Sequence, residues 1–135
     1  MTSIYDTYKT NPKLELEGIV FDCGPDGKFM LARAGGSNVR FAKNLSAKMR
    51  PHERQMDAGT MDNEVGLKLL IEVFANSIVL GWEGVKDEKG KDLPFSVENC
   101  IKLFNDLPDL FTDVREQAMK WSNYRKQEIE DAVKN

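Results

Sequence analysis

The feature that most constrains this chain is a nearly apolar stretch at residues 62–80. At 100° per residue, its apolar side chains fall on two helical faces that leave only a narrow polar stripe. A helix with so little polar surface is normally surrounded by its own protein. We therefore predict a central core helix, whose second face is either buried or a groove for a partner. The first face carries Leu67, Leu70, Ile71, Phe74 and Ile78, and the second carries Leu69, Val73 and Leu80.

Glycines divide the sequence directly after this stretch. Gly81 and Gly84 flank Trp82, which predicts a sharp bend that presents or buries the indole. Residues 87–92 are rich in charge and contain a glycine, so they predict a polar turn between two short extended pieces. This segment is therefore expected to be a small extended and turn insertion between helices.

Two further helices are predicted near the C-terminus. Ser96 is a suitable N-cap for a helix over residues 97–107, because its hydroxyl can accept a hydrogen bond from the first turn. Pro108 cannot continue that helix, but its fixed φ suits the first turn of a new one. The last ten residues carry few apolar side chains among charges, and a frayed or partner-ordered tail is predicted over residues 126–135.

A basic helix is predicted before the central one. Ser37 is its expected N-cap, residues 38–50 show an apolar face, and Pro51 ends it. Residues 52–59 are predicted as a polar connector, and Thr60 as the cap of the central helix.

The N-terminal part predicts a β-hairpin. Apolar and polar residues alternate over residues 14–20, turn residues cluster at 23–27, and an apolar run resumes at 29–33. Two strands alone are only marginally stable, so the hairpin is expected to pack on the helices. Residues 1–12 show no clear period and are predicted to form a flexible arm.

These elements predict an α+β fold that is mostly α. It comprises four main helices, an N-terminal β-hairpin and a short extended and turn insertion between helices. A chain of 135 residues is expected to form one domain, here over residues 13–125. No apolar run reaches the 18 residues of a membrane span, and the N-terminus lacks the pattern of a secretory signal.

Catalytic and metal-binding patterns are weak. Residues 35–37 contain two glycines, but no Lys-Ser or Lys-Thr follows at the spacing of a P-loop. An acidic string near residue 22 lacks the final glutamate of a calcium loop, since Arg33 stands there. His52 is the one histidine, which leaves little for zinc or for a catalytic triad. We therefore expect no enzyme activity, no metal and no cofactor.

Charge is unevenly distributed along the chain. The net charge is −3, yet residues 28–54 hold seven basic residues against the single acidic Glu53. Such a basic helix can contact phosphates, but the sequence pI of 5.3 is well below that of a typical nucleic-acid-binding domain. The asymmetry also suits an anionic protein partner or a second copy of the chain.

Two motifs are distinctive in this sequence, Gly81-Trp82-Glu83-Gly84 and Leu93-Pro94-Phe95-Ser96. They resemble those of the tail assembly chaperones of long-tailed bacteriophages, and the similarity extends over residues 28–125. The resemblance implies a protein that coats the tape-measure protein in the host cytoplasm and recruits tail-tube subunits. It also implies displacement as the tube polymerises and absence from the mature virion.

Two surfaces are expected to serve these roles. An apolar groove for the client is predicted from Leu69, Val73, Leu80, Trp82 and Phe95. Head-to-tail self-association is predicted between Arg40, Lys43 and Arg50 of one copy and Asp106, Asp109 and Asp113 of the next. Two other functions stay open: a structural tail or head-completion protein retained in the virion, and a small nucleic-acid-binding regulator.

Overall fold

The computed structural model describes residues 3–125 of the chain. Its elements confirm the predicted α+β, mostly α class, with an N-terminal hairpin and four main helices. In chain order they are α1 (Ile4–Tyr8), α2 (Pro12–Glu17), β1 (Ile19–Asp22), β2 (Lys28–Leu31), α3 (Val39–Met49), α4 (Glu53–Ala58), α5 (Asn63–Ser77), β3 (Val79–Glu83), α6 (Val97–Asp106) and α7 (Pro108–Met119).

The three strands form one antiparallel sheet in the order β1-β2-β3. Val20 pairs with Met30 between β1 and β2, and Met30 pairs with Gly81 between β2 and β3. The register shifts between Met30 and Leu31, so Leu80 is an extra residue on β3. The predicted hairpin is thus the first part of a three-stranded sheet.

The central helix is shorter than predicted, and the predicted sharp bend at Trp82 was wrong. Helix α5 ends at Ser77, and residues 79–83 form strand β3 instead of a helix end and a sharp turn. The apolar run at residues 78–80 fits a helix and a buried strand equally well. Pairing with β2 decides between them, because a hairpin gains stability from a third strand.

The first predicted strand was also placed too early. Residues 12–17 form α2, and β1 begins only at Ile19. The Asn11 side chain accepts hydrogen bonds from the backbone N–H groups of Lys13 and Leu14, and Pro12 occupies the first turn. An asparagine cap followed by proline is a strong helix start, and it outweighed the alternation of apolar and polar residues.

Several helix boundaries differ from prediction by a residue or two. Asn38 caps α3 in place of Ser37, and Asp62 caps α5 in place of Thr60. The connector at residues 52–59 contains the short helix α4. The predicted cap Ser96 and the helix start at Pro108 are confirmed.

A chain of aromatic rings joins the helices to the inner face of the sheet. Phe74 of α5 contacts Phe41 of α3 and Phe111 of α7 edge-on, with ring centroids 5.7 and 5.2 Å apart. Phe104 of α6 continues the chain to Phe111 and to Phe29 of β2. Offset and edge-on pairs of this kind add to the stability that comes from burial alone.

The N-terminal segment contacts the end of the described chain. Tyr8 stacks on Trp121 with ring centroids 4.8 Å apart, and Thr10 forms an isolated β-bridge with Arg125. Helix α1 lies within the residues predicted as a flexible arm, and the flexibility stays a prediction. The predicted tail at residues 126–135 lies outside the described residues.

Candidate interaction surfaces

The two faces of the sheet differ sharply in exposure. Phe29 and Leu31 point into the core and are 1% and 0% exposed, whereas Met30 between them points outward and is 37% exposed. Alternation of side chains along a strand explains this difference. Within residues 3–125, the helices pack on the inner face, and the outer face stays open to solvent.

The outer face consists of one apolar row and one charged row. The apolar row crosses the sheet from Val20 to Met30 to Gly81, and no described atom lies within 4 Å of where a Gly81 Cβ would be. The charged row lies two residues away from the apolar row along each strand, and its charges alternate in sign across the sheet. It consists of Asp22, Lys28 and Glu83.

Leu80 extends the apolar row toward β1. A Cβ built on Gly18 would lie 3.0 Å from Leu80 Cδ1 and 3.1 Å from the Leu31 backbone. Leu80 therefore lies across β2 in the space that the missing side chain of Gly18 leaves. Val20, Met30 and Leu80 are 53%, 37% and 41% exposed, and we call these three residues the outer apolar face.

The five residues predicted as one client groove are split among three places. Leu69 and Val73 line a groove of about 720 Å³ between α3 and α5, and Val73 is only 1% exposed. Leu80 belongs to the outer apolar face. Trp82 and Phe95 form the third place, at the edge of the core.

Trp82 is fixed in place by contacts within the protein. Its indole Nε1–H donates a hydrogen bond to the Leu93 carbonyl at 2.7 Å, and its ring meets Phe95 edge-on at 5.0 Å. The same indole contacts Phe29 on the inner face. Trp82 and Phe95 thus attach the insertion at residues 85–95 to the core.

The predicted basic residues lie on the outward side of α3. Arg40, Lys43 and Arg50 are exposed, and within residues 3–125 none of them forms an ion pair. Lys48 differs, because its Nζ lies 3.5 Å from Glu72 Oε2 of α5 across the groove. The structure keeps the three predicted cations together on one exposed surface.

The predicted acidic residues are less uniform. Asp106 accepts a hydrogen bond from Lys102 Nζ at 2.7 Å on the same helix. Asp109 and Asp113 are exposed on α7 and make no ion pair in the described part of the chain. Glu116 follows on the same face of α7 and was not predicted.

Sequence reasoning also missed a buried ion pair beside the sheet. Glu15 of α2 is 1% exposed, and its Oε2 lies 2.5 Å from Nη1 of Arg33. Burial acts to raise the pKa of Glu15, but hydrogen bonds from Arg33 and Ser37 and the Arg33 charge outweigh it and lower the pKa. Gly36 has φ +54°, and a Cβ there would lie 2.0 Å from Glu15 Oε2.

Comparison with known proteins assigns the chain to a family. The model of the YdaY prophage protein family matches residues 36–135, which is more than half of the chain. The chain belongs to the YdaY prophage protein family. No curated protein and no solved structure gave a match.

The family match bears on the surfaces unequally. It includes α3 and α7, which carry the basic and acidic residues, and it begins after β1 and β2. Leu80 is the one member of the outer apolar face inside the matched range of this YdaY family member.

Polar chemistry is sparse in the part of this YdaY family member that the structure describes. Residues 3–125 contain no group of three His, Cys, Asp or Glu side chains that could hold a metal ion. Burial raises the pKa of the Cys100 thiol to about 12, so it stays protonated at neutral pH. Over the same residues, no helix is long and apolar enough to cross a membrane.

Proposed function

We propose that this protein is a phage tail assembly chaperone that binds the tape-measure protein and keeps its helices soluble. Two motifs that resemble such chaperones support the proposal, Gly81-Trp82-Glu83-Gly84 and Leu93-Pro94-Phe95-Ser96. Membership in a prophage protein family agrees with a role in a phage. In this role it acts in the host cytoplasm, recruits tail-tube subunits and is absent from the mature virion. It binds and releases a polypeptide and catalyses no reaction.

The outer apolar face is the observation that supports this function best. An amphipathic helix can lay its apolar side on Val20, Met30 and Leu80, with polar side chains along its flank next to the row of Asp22, Lys28 and Glu83. Only three partly exposed side chains contribute, so one contact buries little apolar area and is weak. Weak contacts repeated along a long client suit a protein that must later be displaced.

Co-expression with a candidate tape-measure protein tests the function. We expect the tape-measure protein to move from the insoluble to the soluble fraction when this protein is present, and to co-purify with it. A tape-measure protein that stays insoluble, across the candidates encoded near this gene, would contradict the proposal.

Substitution of the outer apolar face tests the binding surface separately. The triple variant Val20→Thr, Met30→Thr, Leu80→Thr keeps side chains that favour strands but removes most apolar contact. It is expected to lose client solubilisation. The control replaces three other exposed apolar residues, in Met56→Gln, Val65→Gln, Met119→Gln, and is expected to retain it. Equal activity of both variants would place the client elsewhere.

Two measurements separate the alternative functions. Mass spectrometry of purified virions should not detect a chaperone, whereas a structural tail or head-completion protein should be present. The exposed cations of α3 are the observation that favours a nucleic-acid-binding regulator. Binding to nucleic acid through them would weaken steeply between low and high salt in a gel-shift assay.

A further inference from the structure

The basic side chains of α3 are regularly spaced on the exposed face of a helix that packs against the core. Lys43 and Arg50 are seven residues apart, so they share one face about 10 Å apart along the axis. Phe41, on the opposite face, contacts Phe74 in the core. Arg40 extends the surface by one turn, and we call Arg40, Lys43 and Arg50 the basic stripe.

Helix α7 carries an exposed surface of opposite charge. Asp109 and Glu116 are also seven residues apart, and Asp113 lies between them on the same face. Phe111, on the opposite face, contacts the same Phe74 ring. We call Asp109, Asp113 and Glu116 the acidic stripe.

Neither stripe is neutralised within the described residues. The ion pairs of residues 3–125 join Lys13 to Glu17, Arg33 to Glu15, Lys48 to Glu72, Lys86 to Asp92 and Lys102 to Asp106. All six residues of the two stripes are exposed and stand outside these pairs. Two exposed helix faces of opposite sign are complementary surfaces for association.

We propose that the basic stripe of one copy binds the acidic stripe of α7 on a second copy. The two stripes are different patches of one chain, so a bound pair of copies still offers one free stripe of each sign. Such a heterologous contact extends into an open array unless its rotation closes a ring. The inference concerns the pure protein alone and stands independently of the chaperone function.

Light scattering and sedimentation of the wild-type protein give the first test. The average mass is expected to rise above the 15.3 kDa of one chain as concentration increases at low salt. High salt should reverse the rise, because exposed charges are screened. A wild-type protein that stays monomeric at all concentrations in low salt would overturn the proposal.

Charge reversal gives the second test. Lys43→Glu, Arg50→Glu should weaken association at least about tenfold, and so should Asp113→Lys, Glu116→Lys, because each places like charges opposite one another. The control Lys9→Glu, Lys89→Glu changes net charge as much as the first variant, at exposed sites outside both stripes, and should associate like the wild type.

Mixing the two charge-reversed variants is decisive. Copies of the same variant repel one another. The acidic α3 of Lys43→Glu, Arg50→Glu, however, complements the basic α7 of Asp113→Lys, Glu116→Lys. We expect the mixture to associate again at low salt. Unchanged mass in the single variants, or no recovery on mixing although both remain folded by circular dichroism, would refute the contact.

Discussion

The two faces of the sheet show how one set of strands serves two purposes. On the inner face, Phe29 and Leu31 are completely enclosed by the helices. On the outer face, Val20 and Met30 pair directly across the strands yet remain 53% and 37% exposed. Neighbouring residues of one strand thus differ in what they contribute. The inner residues stabilise the fold, and the outer ones stay open to solvent in the part of the chain that the structure describes.

The charged row on the outer face explains how such exposure can be tolerated. Short edge strands that carry charge resist pairing with strands of other molecules. Asp22 lies on the edge strand β1 and Glu83 on the edge strand β3, with Lys28 between them on β2. A helical client can still cover the apolar row, because it brings no strand edge of its own.

The largest loss of stability is expected for a substitution on the inner face of the sheet. Phe29→Ala removes a ring that contacts Phe21, Trp82 and Phe104, and should lower the free energy of unfolding by about 4 kcal/mol. Met30→Ala, one residue on and pointing outward, should lower it by only about 0.5 kcal/mol. Urea unfolding measures both values. Similar losses for the two variants would contradict the assignment of faces.

The sheet also shows where sequence reasoning succeeds and fails. Helices α6 and α7 were predicted well, because Ser96 and Pro108 are local signals that act within one turn. Strand β3 was missed, because its partner β2 lies about fifty residues earlier and no local pattern records that pairing. Extending the helical wheel to Leu80 then put it on one face with Leu69 and Val73, although it lies on a strand.

The buried pair was missed for a related reason. Glu15 is one of two neighbouring glutamates in the sequence, and only contact with Arg33, eighteen residues later, distinguishes it from Glu17. The glycines at residues 35–36 were examined only as a P-loop, which their spacing does not fit. Gly36 lets the chain pass close to the Glu15 carboxylate, which a spacing pattern cannot predict.

The second prediction concerns this buried ion pair, which lies at the end of the sheet where the chain passes from β2 to α3. Glu15→Gln leaves Arg33 without its anionic partner and should lower the free energy of unfolding by about 3 kcal/mol at neutral pH. The pKa of Glu15 is lowered in the folded state, so its contribution is present above the usual value of 4.5. It is lost as pH falls through the lower folded pKa.

Glu17→Gln is the matched control for this prediction. Glu17 has a 63% exposed side chain and lies 3.8 Å from Lys13, so its loss should change stability by less than about 0.5 kcal/mol. Unfolding curves at several pH values below 5 should show a flatter acid dependence for Glu15→Gln than for the wild type or Glu17→Gln. Parallel curves for all three proteins would count against the buried pair.

The third prediction separates two costs of replacing a glycine, which are steric overlap with a neighbouring side chain and backbone strain. Gly36 and Gly59 both have positive φ, at +54° and +69°, so alanine is strained at either position. A Cβ at Gly36 would also displace the Glu15 carboxylate, whereas no described atom lies within 4 Å of one at Gly59. Gly36→Ala should therefore cost about 1 to 2 kcal/mol more than Gly59→Ala in thermal or urea unfolding. Equal losses would mean that the carboxylate can move aside.

The smallest change in stability is expected for a conservative substitution on the outer face. Val20→Thr changes a half-exposed side chain to one of similar shape and strand preference, so the free energy of unfolding should change by less than about 0.5 kcal/mol. If the outer apolar face binds the client, the same change should still weaken client capture, because a methyl group at the contact is replaced by a hydroxyl. Stability and capture are then uncoupled at Val20, whereas Phe29→Ala should weaken both, because it destabilises the sheet that carries the outer apolar face. A large loss of stability from Val20→Thr would mean that the outer face is covered, and it would remove the client from that surface.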